Sequence, residues 1–331
     1  MLQCIHNTTP ASFRKGAKRI SGEREVIEFY RSIWRTTGQR QVVNILLSLA
    51  IAALAAFPLN YQKEIVNGLT EKNISPGGLL WLGVAMGGVI TLSLALKWVL
   101  GYLSSALGED MIRKLRKRIC NLSRETPAGA EKVAYGAKAT MVSAEAEQVG
   151  KFSGSALSEP IVQAGTLVVI VGYIAANQPS LGLIAIGMII PQVFIVLLVQ
   201  TRVNSFVSDR VHTLRKATNW LVDPDRSAVE ITPKFDEIYD TRSRIFVWKL
   251  SSKFVLSAIN GAGTVGVLVV GGWQVLEGNT DVGTVVAATV GLTRLQGPTR
   301  QLIAFYRQVS ATAVKFELLR DAGVDMADVP N

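Results

Sequence analysis

Cysteine and histidine are almost missing from this sequence, which holds two of each in 331 residues: Cys4, Cys120, His6 and His212. None has a neighbour at metal-ligand or redox spacing, so neither a disulfide framework nor a metal site is expected. A phosphate-binding loop is missing as well. The nearest approach is Gly150-Lys151, which lacks the upstream glycines that would cradle a phosphate. Charge is also scarce. Asp, Glu, Lys and Arg make up 18% of the chain, where a soluble domain carries about a quarter. The scarcity is uneven, because long stretches are nearly uncharged while those between them are crowded with Lys and Arg. With 49% hydrophobic residues and a mean hydropathy of +0.29, that alternation predicts a polytopic membrane protein.

The net charge of +10 would suit a nucleic-acid binder. The basic runs, however, flank apolar segments, where they set topology and meet anionic lipid headgroups. No nucleic-acid partner is therefore expected. Residues 1–24 contain Arg14, Lys15, Lys18 and Arg19 with no apolar stretch directly behind them. They suit a solvated or membrane-surface cytoplasmic tail rather than a signal peptide, or a transit peptide if the source is eukaryotic.

Six segments are long enough to cross a hydrocarbon core of about 30 Å: 42–59, 79–107, 161–176, 181–199, 255–275 and 282–303. The third and fourth are joined by Asn177, Gln178, Pro179 and Ser180, a tight antiparallel connection. The fifth and sixth form a similar hairpin around 277–281. Lys and Arg crowd the segment before the first span and the connections between spans two and three and between four and five. The other three connections offer only Lys63 and Lys72. This asymmetry predicts that both termini are cytoplasmic, and a bacterial inner (plasma) membrane is the expected location.

The second span runs on through GEDMIRKLRKRICNLSRETP, with Met111, Leu115, Ile119 and Leu122 at helical spacing and no proline before Pro127. A continuous helix from 79 to 126 would be roughly 70 Å long, more than half of it outside the bilayer core. A return segment, 132–159, places Val142, Val149 and Phe152 on one face. Residues 202–221 and 235–253 repeat the arrangement. Two tall helical hairpins are thus predicted in the cytoplasm, suited to docking a protein. The stretch IEFYRSIWRTTGQRQ, before the first span, reads equally as a short interfacial helix or as an extension of that span.

Six spans, short outer hairpins and two long cytoplasmic hairpins resemble the membrane domain of type I ABC exporters, over about 25–321. The stretches RKLRKRI, GNTDVGTVVAATVGL and LQGPTRQLIAFYRQVSATAVKFELL carry the likeness. Two departures are Glu145 where the family tends to have Asp, and a somewhat short connection between spans four and five. The resemblance implies an all-α membrane domain followed by a linker at 322–331. It implies a second transmembrane half, as homo- or heterodimer, and an ABC ATPase partner that supplies ATP and Mg²⁺ binding. That ATPase would be a separate polypeptide or a domain outside these 331 residues, since this chain has no P-loop and is not itself an enzyme. Coupling-helix tips would fall near Glu125 and Pro127, and near Asp223, Asp225 and Glu230.

A charge inside a span calls for a partner or a water-filled path. Lys97 and Arg300 lie near the inner interface, where snorkelling serves. Arg294 lies about 12 residues, or roughly 18 Å, into the sixth span, and Gly297 and Pro298 are expected to loosen the helix beside it. It is the candidate for attracting an anionic or zwitterionic substrate, or else pairs with a neighbouring helix. Asn44, Gln163, Gln192 and Asn260 either line the same pathway or join helices. The glycines of 261–272 predict close helix packing. The alternatives to an ABC subunit are a six-span secondary transporter or channel, and a degenerate half that only binds a partner.

Overall fold

The computed structural model describes residues 11–125, 144–221 and 228–321. Among them every regular element is a helix: α1 (Ala11–Ala53), α2 (Phe57–Thr70), α3 (Pro76–Glu125), α4 (Ala146–Ser155), α5 (Ser158–Asn177), α6 (Pro179–Leu221), α7 (Ala228–Leu276) and α8 (Val282–Asp321). Proline opens three of them, at Pro58, Pro76 and Pro179. At the first turn its missing N–H costs no helical bond and its fixed φ is already helical. The architecture is that of an all-α, multi-pass membrane protein.

Five stretches are long and apolar enough to cross a membrane: Val26–Thr70, Pro76–Asn121, Ala146–Asn177, Pro179–Val207 and Thr232–Leu276. The sixth expected span, 282–303, does form a helix within α8 but falls outside this set. Arg294, Gln296 and Arg300 dilute its apolar residues. The first expected span is interrupted rather than continuous to 59. α1 ends at Ala53, residues 54–56 turn, and α2 restarts the helix and carries Lys63, which had been placed in a bare loop. The stretch IEFYRSIWRTTGQRQ is internal to α1. It is therefore an extension of the first span and not a separate interfacial helix, and helix already begins at Ala11 within the expected tail.

The long arms hold. α3 has 50 residues, or about 75 Å, more than twice a bilayer core of about 30 Å. α6 and α7 have 43 and 49.

The chain divides into two compact units, Met1–Ala55 with Gly87–Thr166 and Ala304–Asn331, and Ala56–Met86 with Leu167–Ile303. The first unit is centred on a core built beyond the apolar bands. Phe29 and Ile33 of α1, Met111, Leu115 and Ile119 of α3, Val149 and Phe152 of α4, and Phe316 and Leu319 of α8 are all buried there. Their three- and four-residue spacings put each set on one helical face. Phe29 stacks on Phe152 at 5.5 Å and meets Phe316 at 4.8 Å. Val142, expected on the same face, lies outside the described residues.

α3 and α4 touch backbone to backbone. A Cβ on Gly154 would overlap the Ser104 carbonyl and sit 2.9 Å from the Gly108 nitrogen, and one on Gly150 would sit 2.9 Å from the Ile112 nitrogen. Gly150 and Gly154 are a small-xxx-small pair, the spacing that lets two helices close up.

In the second unit, α6 and α7 pack as an antiparallel pair. Gln192 meets Asn260 and Thr213 meets Glu237, while Gly263 faces Met188 and Gly266 faces Ile184. Rising numbers on one helix match falling numbers on the other, so the register is constant from span to arm. The glycine run 261–272 is only partly a packing stripe. Gly263 and Gly271 are tightly apposed, to Met188 and Val285, but Gly261 and Gly272 have open space where a Cβ would stand.

Candidate functional site

Arg294 is half-buried on α8 with Leu292 and Leu295 buried beside it, and makes no ion pair among the described residues. α8 stays helical through Pro298. Proline has no N–H, so the intrahelical bond to the carbonyl four residues back, that of Arg294, is not made. The Thr299 hydroxyl bonds the next carbonyl, of Leu295, at 2.8 Å. One turn of α8 therefore offers a guanidinium and a carbonyl without its usual helical donor.

Each of the other candidates makes a hydrogen bond of its own. Gln192, 6% exposed, donates to Asn260 Oδ1 at 2.8 Å and joins α6 to α7. Gln163 belongs to the first unit and donates along its own helix to Glu159 at 3.0 Å. Gln192 and Asn260 join two helices, whereas Gln163 bonds within α5. A double-mutant cycle with Gln192→Leu and Asn260→Leu, read by thermal unfolding in detergent, is expected to give a coupling of about 0.5–1.5 kcal/mol. Additive losses would mean that the bond contributes nothing. Lys97 and Arg300 are exposed and make no ion pair among the described residues, as snorkelling side chains do.

A buried polar seam runs through the first unit. Gln41, Asn44 and Ser48 lie on one face of α1 and are nearly fully buried. Gln41 donates to the Ser153 carbonyl at 2.9 Å, Asn44 to the Ser104 hydroxyl at 3.4 Å, and Ser104 pairs with Ser158 at 3.2 Å. Asn44 is thus a helix joint. The i, i+3, i+7 spacing of Gln41, Asn44 and Ser48 was a legible signal for this seam.

A second polar cluster ties three helix ends of the second unit. Asp281 caps α8, accepting from the Thr284 N–H at 2.6 Å and its hydroxyl at 2.9 Å. Asn67 donates to Asp281 at 2.8 Å and accepts from the Gly283 N–H at 2.7 Å. Lys63 donates to Asn177 at 2.8 Å and lies 3.5 Å from Asp281. Burial pushes the Asp281 carboxyl up, but the bonds from Asn67 and Thr284 and the Lys63 ammonium outweigh it and hold the group below the usual carboxylate range. A depressed folded value means that the contribution is present above the unfolded value of about 3.9 and is lost as pH falls through the folded one. Asp281→Ala is expected to cost about 0.5–2 kcal/mol at neutral pH. In thermal unfolding the gap to wild type should narrow as pH falls below the ordinary carboxylate range. A gap unchanged at acid pH would show that the carboxylate charge plays no part.

Of the expected coupling tips, Pro127, Asp223 and Asp225 lie outside the described residues, while Glu125 closes α3 and Glu230 stands in the first turn of α7. Among the described residues no three His, Cys, Asp or Glu gather as metal ligands. In comparisons with known proteins, no family model matches this chain and no curated protein matches it in sequence.

Proposed function

We propose that the chain is the membrane subunit of an ATP-driven transporter, coupled by its arms to an ABC-type ATPase that binds ATP and Mg²⁺. The carrying observation is the buried aromatic core of Phe29, Phe152 and Phe316 on the basic extensions beyond the apolar bands. Helices resting on headgroups need no core of their own, whereas a packed arm transmits a force from its tip to its span. A subunit of this type functions with a second transmembrane half, with both termini and both arm tips in the cytoplasm. Substrate passes along α8, since a helix with two arginines and a glutamine in its expected span belongs beside protein or water and not lipid.

Arg294 is the residue expected to meet an anionic or zwitterionic substrate. A charge-assisted hydrogen bond contributes about 1.5–3 kcal/mol, so Arg294→Ala should weaken apparent substrate affinity roughly 10- to 100-fold. The assay is substrate-stimulated ATPase or transport in the assembled complex, with Arg294→Lys retaining part of the response. Wild-type behaviour of Arg294→Ala would retire this role. A secondary transporter is the second reading. The interruption of the first span at 54–56 favours it, because broken helices house substrate and ion sites in such proteins.

A further inference from the structure

In the first unit, a cleft of about 730 Å³ opens between residues 34–40 of α1 and 107–114 of α3. Its walls carry Arg35, Arg40, Arg113 and Lys114 against a single carboxylate, Asp110. Asp110 holds Arg40 at 3.0 Å and Arg113 at 2.9 Å, which fixes two guanidiniums at the rim. Arg35 and Lys114 make no ion pair among the described residues, so their charge stands uncompensated. Leu107 and Met111 are buried beneath, and the Trp34 indole is 48% exposed at the rim.

The height of the cleft matters as much as its charge. On α1 the basic residues end just before the apolar stretch that starts at Val42. On α3 they start just after the apolar stretch that ends at Leu107. The two basic flanks meet at one level, the edge of both apolar bands, where headgroups lie and where tryptophan settles. A soluble anion would need the cations alone. A phospholipid would use the cations for its phosphate, the indole for its glycerol level and the adjoining apolar surface for its chains.

We propose that this cleft binds the phosphate-bearing headgroup of one anionic phospholipid per chain. The proposal rests on the membrane-spanning reading and is independent of any ATPase. The two guanidiniums paired to Asp110 turn their remaining donors to the phosphate, and Arg35 and Lys114 supply the unpaired charge.

The test is native mass spectrometry of the full chain, released from bilayers that mix phosphatidylglycerol with phosphatidylcholine. Wild type should retain one phosphatidylglycerol in preference to phosphatidylcholine. Each cation contributes about fivefold, so Arg35→Gln with Lys114→Gln should weaken retention roughly 30-fold. Asp110→Asn, which removes the competing carboxylate, should tighten it about fivefold, a gain that misfolding would not produce. Retention unchanged in both variants, or no preference for phosphatidylglycerol in wild type, would overturn the proposal. Displacement of the lipid by millimolar inorganic phosphate would also overturn it and make the site one for free phosphate. Recovery of the chain with no phospholipid of either kind would instead sink the membrane-spanning reading.

Discussion

Phe152→Ala is expected to destabilise the protein by about 3–5 kcal/mol, the largest effect of any single truncation considered. Phe152 is fully buried, stacks on Phe29 at 5.5 Å and on Phe305 at 5.6 Å, and meets Tyr30 edge-on at 6.3 Å. Removing its ring leaves a cavity bordered by α1 and α8, and helices of this length cannot collapse locally to fill it. Phe254 is the matched control, because it is 73% exposed on α7. Phe254→Ala should change thermal unfolding in detergent far less. Equal losses for the two would mean that the arm has no core of its own, and the lever it is proposed to form would lose its physical basis.

Gly154→Ala is expected to come next, at about 2–3 kcal/mol for a single added methyl group. The new Cβ would collide with backbone, the Ser104 carbonyl and the Gly108 nitrogen, so no side-chain rotation relieves it. The helices must part, and parting them breaks the Gln41–Ser153 and Ser104–Ser158 bonds of the same seam. Gly88→Ala on α3 provides the opposite sign, since nothing stands within 4 Å of its missing Cβ. There the gain in helix propensity, up to about 1 kcal/mol, is free to appear. Unfolding midpoints of the two variants should move in opposite directions. A neutral Gly154→Ala would mean that α3 and α4 are not in backbone contact.

Element type was legible along the described residues, because apolar runs of this length and the 3.6 period of Met111, Leu115 and Ile119 leave no other reading. Charge asymmetry and an absence of internal proline made the α3 arm predictable to within three residues at its start. One element misled. Val42 to Leu59 reads as one apolar run, but hydropathy carries no information about a break at 54–56, where the only signal is Pro58 at a helix start. The 282–303 segment forms the expected helix, and Arg294, Gln296 and Arg300 keep it out of the set of most apolar stretches.

Within the candidate site, single polar residues inside spans were easy to find and hard to assign. Gln192 and Asn260 lie far apart in sequence, and only the antiparallel register of α6 and α7 makes them partners. The Lys63, Asn67 and Asp281 cluster was invisible for the same reason, with more than 200 residues between its hydrogen-bonded partners. The glycines of 261–272 were a partial guide. The richer run at 261–272 is partly open, whereas Gly150 and Gly154 bring α3 and α4 into backbone contact, and their spacing was a signal that went unread.

The central claim is that this chain transmits the work of an ATPase to a membrane pathway. Its most direct test is recovery of the affinity-tagged chain from native membranes, scored for an associated P-loop protein and for nucleotide-dependent protection of the arm tips at 124–132 and 223–233. The account predicts a P-loop ATPase in equal amount and tip protection that changes when ATP is added. Recovery of the chain alone, with tips indifferent to nucleotide, would contradict it and leave a secondary transporter or a partner-binding half as the reading to pursue.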